Sequence, residues 1–260
     1  MAEFSAELDV VKKIAADAAA EALRRAKQVR PKEKANLSFV TDLDLDLERT
    51  IREQLRKHFP GDLLTGEECE SEGDGPRRWS IDPIDGTGNL VHGLPLWAIS
   101  IGLIVSGEPV LGVIAIPPLG ETFWGVRGGG AWLDGHRLIA NDSDTIHNQD
   151  NICVGTNALR AVDPRTLPGR LRDLGSACCE QTFVAANRLQ ACTFLGEAAH
   201  DVAAGVVISS EAGCQFGTIT GERLSAAEMV RRTPVSIPTF VAPPRRLATL
   251  MAMAKMFAPV

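Results

Sequence analysis

The chain has 260 residues, 45% of them hydrophobic, with a net charge of −6, which is enough apolar material for one large domain or two tightly joined halves and excludes a disordered chain. The acidic balance, the lack of a basic block and the absence of Tyr argue against a nucleic-acid partner or a base-stacking surface. No run of about 18 apolar residues is present, and the N-terminal MAEFSAELDVVKK has acids where a secretory signal has a basic region, so a soluble cytoplasmic protein with no membrane partner is expected.

In chain order, residues 6–29 read as an amphipathic helix, with Leu8, Val11, Ile14, Ala15, Ala18, Ala22 and Leu23 at helical spacing and Pro31 as the stop. A second helix fits 44–58, with Leu47, Ile51 and Leu55 on one stripe and acids in the first turn. Strands follow at 79–84, 97–105, 110–117, 121–126 and 130–138, with SGEP and Gly128-Gly129-Gly130 as hairpin turns. Two helices ahead of an antiparallel meander suggest helices layered on a sheet. The polar stretch 141–151 reads as a crossing between halves. Beyond it the pattern predicts a strand at 152–156, helices at 163–173 and 176–187, a strand at 189–194, a helix at 201–213 and a closing helix at 244–256. The six cysteines contain no C-x-x-C pair, so free thiols in a reducing compartment are expected.

The chemistry concentrates in WSIDPIDGTGN, residues 79–89. Pro83 fixes its own φ and drives Asp82 towards an extended conformation, while Gly86 permits a sharp change of direction. Asp82 and Asp85 then come to one side at the rim of a sheet, and Gly86-Thr87-Gly88 offers backbone N–H groups to an anion. Acids for cations beside amides for phosphate oxygens suit metal-assisted phosphoryl transfer. Taken alone, DPIDG is also an ordinary turn. An EF-hand loop fails on Ile84, Gly86 and Thr87; a P-loop fails for want of Lys; and a dinucleotide fingerprint is not met. Further acids stand at Glu67-Glu68, at Asp201 and at Asp44. Each is readable alone as a solvated pair or a helix cap.

The string WSIDPIDGTGNLVHGLP, with VTDLD (40–44), GEE (66–68), LGSA (174–177) and HDVAAG (200–205), resembles the signatures of the inositol monophosphatase family, in order and across nearly the whole chain. The resemblance implies an α+β fold, a layered α-β-α-β-α sandwich of the sugar-phosphatase type. It would form a single phosphatase domain over 1–260, with an antiparallel sheet in the half 1–140 and a mixed sheet in the half 151–260. It implies that Glu67, Asp82, Asp85, Asp201 and the carbonyl of Ile84 bind two to three Mg2+ ions, an oxygen-only set that suits a hard cation. Glu67 and Thr87 would orient and help deprotonate a metal-activated water. Asp44 would support Thr87, and the amides of Gly86 and Thr87 would hold the phosphate beside Asp85. Ser176, Phe194 and His200 would lie on the substrate side. A homodimer and lithium sensitivity are also implied.

Three positions depart from the family pattern. His200 stands where Trp usually precedes the Asp, and it either touches substrate or packs. Phe194 stands where inositol-type members carry a carboxylate for sugar hydroxyls; it is expected to face the leaving group, with Glu197 replacing that carboxylate if the loop is shifted. Gly88 stands where Thr or Lys is frequent. The implied activity is hydrolysis of a small phosphate monoester carrying an inositol, cyclitol, sugar or amino alcohol. The alternatives are a histidinol-phosphate or 3′-phosphoadenosine phosphate phosphatase, or a non-catalytic regulatory partner of RNA or transcription machinery. His58, His92, His136 and His147 have no partner at metal spacing, and Arg188 reads as a solvated helix end.

Overall fold

The structure is a computed structural model that describes residues 3–34 and 38–257; residues 1–2, 35–37 and 258–260 of the expected domain lie outside the described residues. Helix α1 (Ser5–Arg25) leads to a hairpin of β1 (Pro31–Glu33) and β2 (Phe39–Thr41), then to α2 (Asp42–His58). β3 (Leu63–Gly66), β4 (Arg77–Asp85), the short α3 (Thr87–Val91), β5 (Ala98–Val105), β6 (Glu108–Ile116), β7 (Glu121–Val126), β8 (Gly130–Leu133) and β9 (His136–Leu138) complete the first half. The second half holds β10 (Asn151–Cys153), α4 (Thr156–Ala161), β11 (Arg170–Arg172), α5 (Ala177–Ala185), β12 (Cys192–Phe194) and α6 (Ala199–Glu211). It closes with β13 (Gln215–Thr218), β14 (Arg223–Leu224), α7 (Ala226–Arg231), β15 (Thr239–Ala242) and α8 (Pro244–Met253).

Strands β3 to β9 form one seven-stranded sheet in sequence order. Every pairing from β4 to β9 is antiparallel, which is the expected meander, and β3, a strand the sequence does not announce, adds a parallel pair at the edge. A second sheet of four strands, in the order β12-β15-β13-β14, is antiparallel, while β10 pairs in parallel with β11. Helices α1 and α2 cover one face of the large sheet, α5 and α6 lie between the two sheets, and α8 covers the outer face of the second. The layering is therefore α-β-α-β-α, as expected.

Helix α2 shows why the layers adhere. Leu43, Leu47, Ile51 and Leu55 recur every four residues and are buried, each contributing about 2 kcal/mol by leaving water. Thr41 caps the helix: its hydroxyl accepts from the Leu43 N–H at 3.2 Å, and its own N–H donates to Asp44 Oδ2 at 2.9 Å. On the opposite face, α6 rides on a row of glycines. Gly102 pairs with Gly112 across β5–β6, and Gly112 with Gly125 across β6–β7. A Cβ at Gly112 would meet the Ala204 carbonyl oxygen at 2.2 Å, and one at Gly102 would meet the Ala204 nitrogen at 2.9 Å. The helix backbone therefore rests almost directly on the strand backbone.

Two expectations are corrected. The helix predicted over 163–173 is absent: Asp163 caps only a single 3-10 turn at Pro164–Thr166, and β11 follows. Pro168 and Gly169, the latter at φ 74, prevent a helix from continuing there. The strand predicted over 130–138 is two, β8 and β9, because Asp134 (φ 47) and Gly135 (φ 85) make a tight hairpin turn.

Candidate active site

The bend at the end of β4 has a definite cause. Asp82 pairs with Ser100 and Asp85 with Ala98, so three steps along β4 oppose two along β5 and one residue is extra. Pro83, which has no N–H to give the ladder, sits in this bulge. The Ile84 N–H turns instead to Asp82 Oδ1 at 3.0 Å. Gly86 then takes φ 87, with its α-carbon hemmed in by the carbonyl oxygens of Leu96 and Gly175, and α3 begins at Thr87.

Around this bend the expected residues come together. Glu67, Asp82, Ile84, Asp85, Gly86, Thr87 and Asp201 line one cavity of about 280 Å3. Asp82, Asp85 and Asp201 each present a carboxylate oxygen within 4.8 Å of the others. Asp201 is delivered from across the sheet by α6, where it is the third helical residue; its Oδ2 accepts from the Ala198 N–H at 2.6 Å. Thr87 Oγ1 lies 2.9 Å from Asp44 Oδ1 and 3.0 Å from the Ile84 carbonyl oxygen. The Asp44 carboxylate also takes a very short hydrogen bond from the Thr41 hydroxyl.

Buried like charges strain this site electrostatically. Burial, then Asp85 and Glu67, holds Asp82 well above the usual carboxylate range. Burial, then Asp201, pushes Asp85 up to about 7. Asp201 is raised by burial, an effect opposed by His200. Asp44 is raised by burial although Thr41 and Thr87 hydrogen-bond to it. A cation among the oxygens of Asp82, Asp85 and Asp201 would relieve the penalties on those three acids. Hard oxygen donors from separate elements fit a magnesium-type ion.

Other expected site residues behave differently. Ser176 is buried, and its hydroxyl is already engaged: it donates a very short hydrogen bond to Asp85 Oδ2 and accepts from the Cys179 N–H at 3.2 Å. Asp85 Oδ2 also accepts from the Cys178 N–H at 2.8 Å. Ser176 therefore fastens Asp85 to the start of α5 instead of presenting a free hydroxyl to substrate. Phe194 has 0% exposure and packs in the core between the sheets, so the expectation that it faces the leaving group is corrected. His200 does not pack away from the acids. Its ring lies with Glu67 and Asp82, ligand atoms within 4.8 Å of one another, and its Nε2 is 3.6 Å from Asp201 Oδ1. Arg188 is not simply solvated; both its terminal nitrogens grip Glu121, at 2.6 and 2.7 Å. All six cysteines are free.

Sequence reasoning passed over two features. Lys34 Nζ lies 2.8 Å from Glu67 Oε1 and 2.6 Å from Glu68 Oε1. Burial would lower its pKa, but the hydrogen bonds to Glu67 and Glu68 outweigh that and raise it. A lysine in a polar connection carries no sequence signal for this. Beyond Asp85 and Asp201 a second cavity, of about 380 Å3, is bounded by Asp173, Glu180 and Glu197. Burial raises Glu180 to about 8 and Glu197 to about 7.

Comparisons with known proteins agree with the family resemblance and the fold. Residues 3–254 match the family model described as the inositol monophosphatase family. The fructose-1,6-bisphosphatase/inositol-1-monophosphatase of Aquifex aeolicus is 30% identical, over 85% of this chain and 88% of that protein. The histidinol-phosphatase of Chlorobaculum parvum is 36% identical, over 72% of this chain and 78% of that protein. Among solved structures, the extragenic suppressor protein suhB of Bartonella henselae superposes with a TM-score of 0.85 at 26% identity, covering 96% of this chain and 98% of that one.

Proposed function

The chain belongs to the inositol monophosphatase family, and on that premise we propose that it hydrolyses a small phosphate monoester with magnesium. The observation that carries this reading is the convergence of Glu67, Asp82, Asp85 and Asp201 on one cavity beside the Gly86–Thr87 bend. In it, Glu67, Asp82, Asp85, Asp201 and the Ile84 carbonyl would hold two to three Mg2+ ions. Bound there, magnesium supplies charge neutralisation for the phosphate and the leaving oxygen, and it acidifies water.

The chain's own residues do the rest. The amides of Gly86 and Thr87 orient the phosphate at the head of α3. Thr87 Oγ1, 2.9 Å from Asp44 Oδ1, passes a proton from the attacking water to Asp44. Asp44 suits that task because burial raises its pKa above the ordinary carboxylate value and so makes it a better proton acceptor. Glu67 orients the same water. His200 borders the reacting centre beside Glu67 and Asp82. The family resemblance further supports a homodimer working in the cytoplasm and inhibited by lithium.

The test is phosphate release from a panel of monoesters, with magnesium and with a chelator. The panel includes inositol 1-phosphate, histidinol phosphate, 3′-phosphoadenosine 5′-phosphate and fructose 1,6-bisphosphate. Activity should require magnesium and disappear in Asp82→Ala and Glu67→Ala. Undiminished hydrolysis in the chelator would overturn the reading.

A further inference from the structure

The cavity beyond Asp85 and Asp201 is where a leaving group would sit if the phosphatase reading holds, and its proposed role rests on that reading. Among the described residues no Lys, Arg or His lines it, while Asp173, Glu180 and Glu197 do. These three acids are not equivalent. Asp173 is occupied: its Oδ2 accepts from the Thr156 hydroxyl at 2.5 Å and its Oδ1 from the Gly175 N–H at 3.0 Å. Glu180 is held within the fold, with Oε1 accepting from the Leu174 N–H at 3.3 Å. Glu197 differs from both, because its Oε2 is buried without any hydrogen-bond partner.

The position of Glu197 is fixed by backbone. The Gly196 N–H donates to the Val235 carbonyl at 2.7 Å, and the Val235 N–H returns to the Glu197 carbonyl at 3.0 Å. Gly196 takes φ 108, a conformation that L side chains rarely adopt. The loop thus turns Glu197 to the cavity while the neighbouring Phe194 points into the core. No shift of the loop is needed for this acid to reach the substrate side. A buried acceptor left unpaired bears its full desolvation penalty until a donor arrives. A cationic donor relieves it most, because charge-assisted hydrogen bonds are about twice as strong as neutral ones. Among the described residues, the only charged side chains that an anionic leaving group would meet here are carboxylates.

We propose that Glu197 sets substrate specificity by binding a protonated amine on the leaving group, so that this chain prefers phosphate monoesters of amino alcohols over those of neutral polyols or of acids. The matched probes are serinol phosphate and glycerol 1-phosphate, which differ only by ammonium against hydroxyl at the central carbon. 3-Phosphoglycerate provides the anionic arm, and p-nitrophenyl phosphate reports magnesium-dependent hydrolysis as such. The wild-type chain should favour serinol phosphate over glycerol 1-phosphate by about tenfold in kcat/KM, with 3-phosphoglycerate the poorest. Glu197→Gln should bring that ratio close to one, and Glu197→Asp, which keeps the charge, should retain much of it. Equal or reversed preference in the wild type overturns the inference, as does a ratio unchanged in Glu197→Gln. If the glutamine variant does not fold, the wild-type ratio and the aspartate variant still decide. Failure to hydrolyse any of the four compounds, p-nitrophenyl phosphate included, sinks the phosphatase reading itself. Hydrolysis without the amine preference sinks this inference alone.

Discussion

Arg52 donates from Nε to Glu48 Oε1 at 2.7 Å, and the two side chains, at 5% and 0% exposure, form a buried ion pair one turn apart on α2. The pair grips the loop that carries Glu67. Glu48 Oε2 accepts from the Glu68 N–H at 2.7 Å, and Arg52 donates to the carbonyls of Cys69 and Glu70, both at 3.0 Å. The helix that places Asp44 therefore also places Glu67. Removing one partner of such a pair costs about 3–5 kcal/mol, because the other charge stays buried alone. Glu48→Gln should lower the unfolding temperature and weaken magnesium binding about tenfold, as measured by thermal unfolding and titration calorimetry.

The acid cluster makes stability depend on pH in an unusual direction. Asp82 and Asp85 are raised, Asp85 to about 7, whereas an unfolded carboxylate titrates near about 3.9. The folded chain thus binds protons more tightly than the unfolded one. The stability this gives is full below the unfolded value and is lost as pH climbs through the folded value. Asp42, Glu72, Asp163 and Glu222 are lowered by arginine or lysine partners, so their contribution changes only at more acid pH. In chelator the unfolding temperature should therefore fall by about 5–10 °C between about pH 5 and pH 8. Magnesium should restore more at the higher pH. A flat profile in differential scanning fluorimetry would remove the electrostatic account.

Thr87 makes its contacts through a hydroxyl, so Ser and Val separate its roles. Thr87→Ser keeps an oxygen near Asp44 Oδ1 and the Ile84 carbonyl; Thr87→Val keeps the shape and loses both contacts. The valine variant should lose about 100-fold or more in kcat with KM little changed, and serine should retain most of the rate. Steady-state kinetics on the best monoester would check this.

Phe194, as a fully buried ring, should not tolerate charge: Phe194→Glu buries a carboxylate in the core between the sheets. Phe194→Ala should cost about 3–5 kcal/mol. Urea unfolding would read both. A stable glutamate variant with better turnover of polyol phosphates would restore the sequence-based view that this side chain faces substrate.

What the sequence disclosed follows the range of the interactions involved. The bend at Asp82–Thr87 is local: Pro83 and Gly86 dictate it, so its residues were legible from spacing and family resemblance together. The stripe on α2 was legible because one of its faces is polar. β12 lies among the opaque elements. Cys192, Thr193 and Phe194 are all buried, so no alternation of exposure marks which side Phe194 takes. β3 was missed because it is four residues long and mostly half-buried. Lys34 and Glu197 acquire their places from partners about 30 to 40 residues away in the chain, Glu67 and Val235, which no local pattern announces.

The glycine row under α6 has a consequence for how this site can change. A helix seated on side chains inherits their freedom to adjust; one seated on bare main chain inherits the stiffness of the sheet. Gly102, Gly112 and Gly125 leave no compressible layer between β5–β7 and the helix that carries Asp201. The gauge between Asp201 and the carboxylates of β4 is thus built into the framework. On the proposed reading, selectivity would reside instead in the loops around 155–157 and 196–197, which line the second cavity. Those loops can be rewritten for another leaving group while the acids keep their spacing.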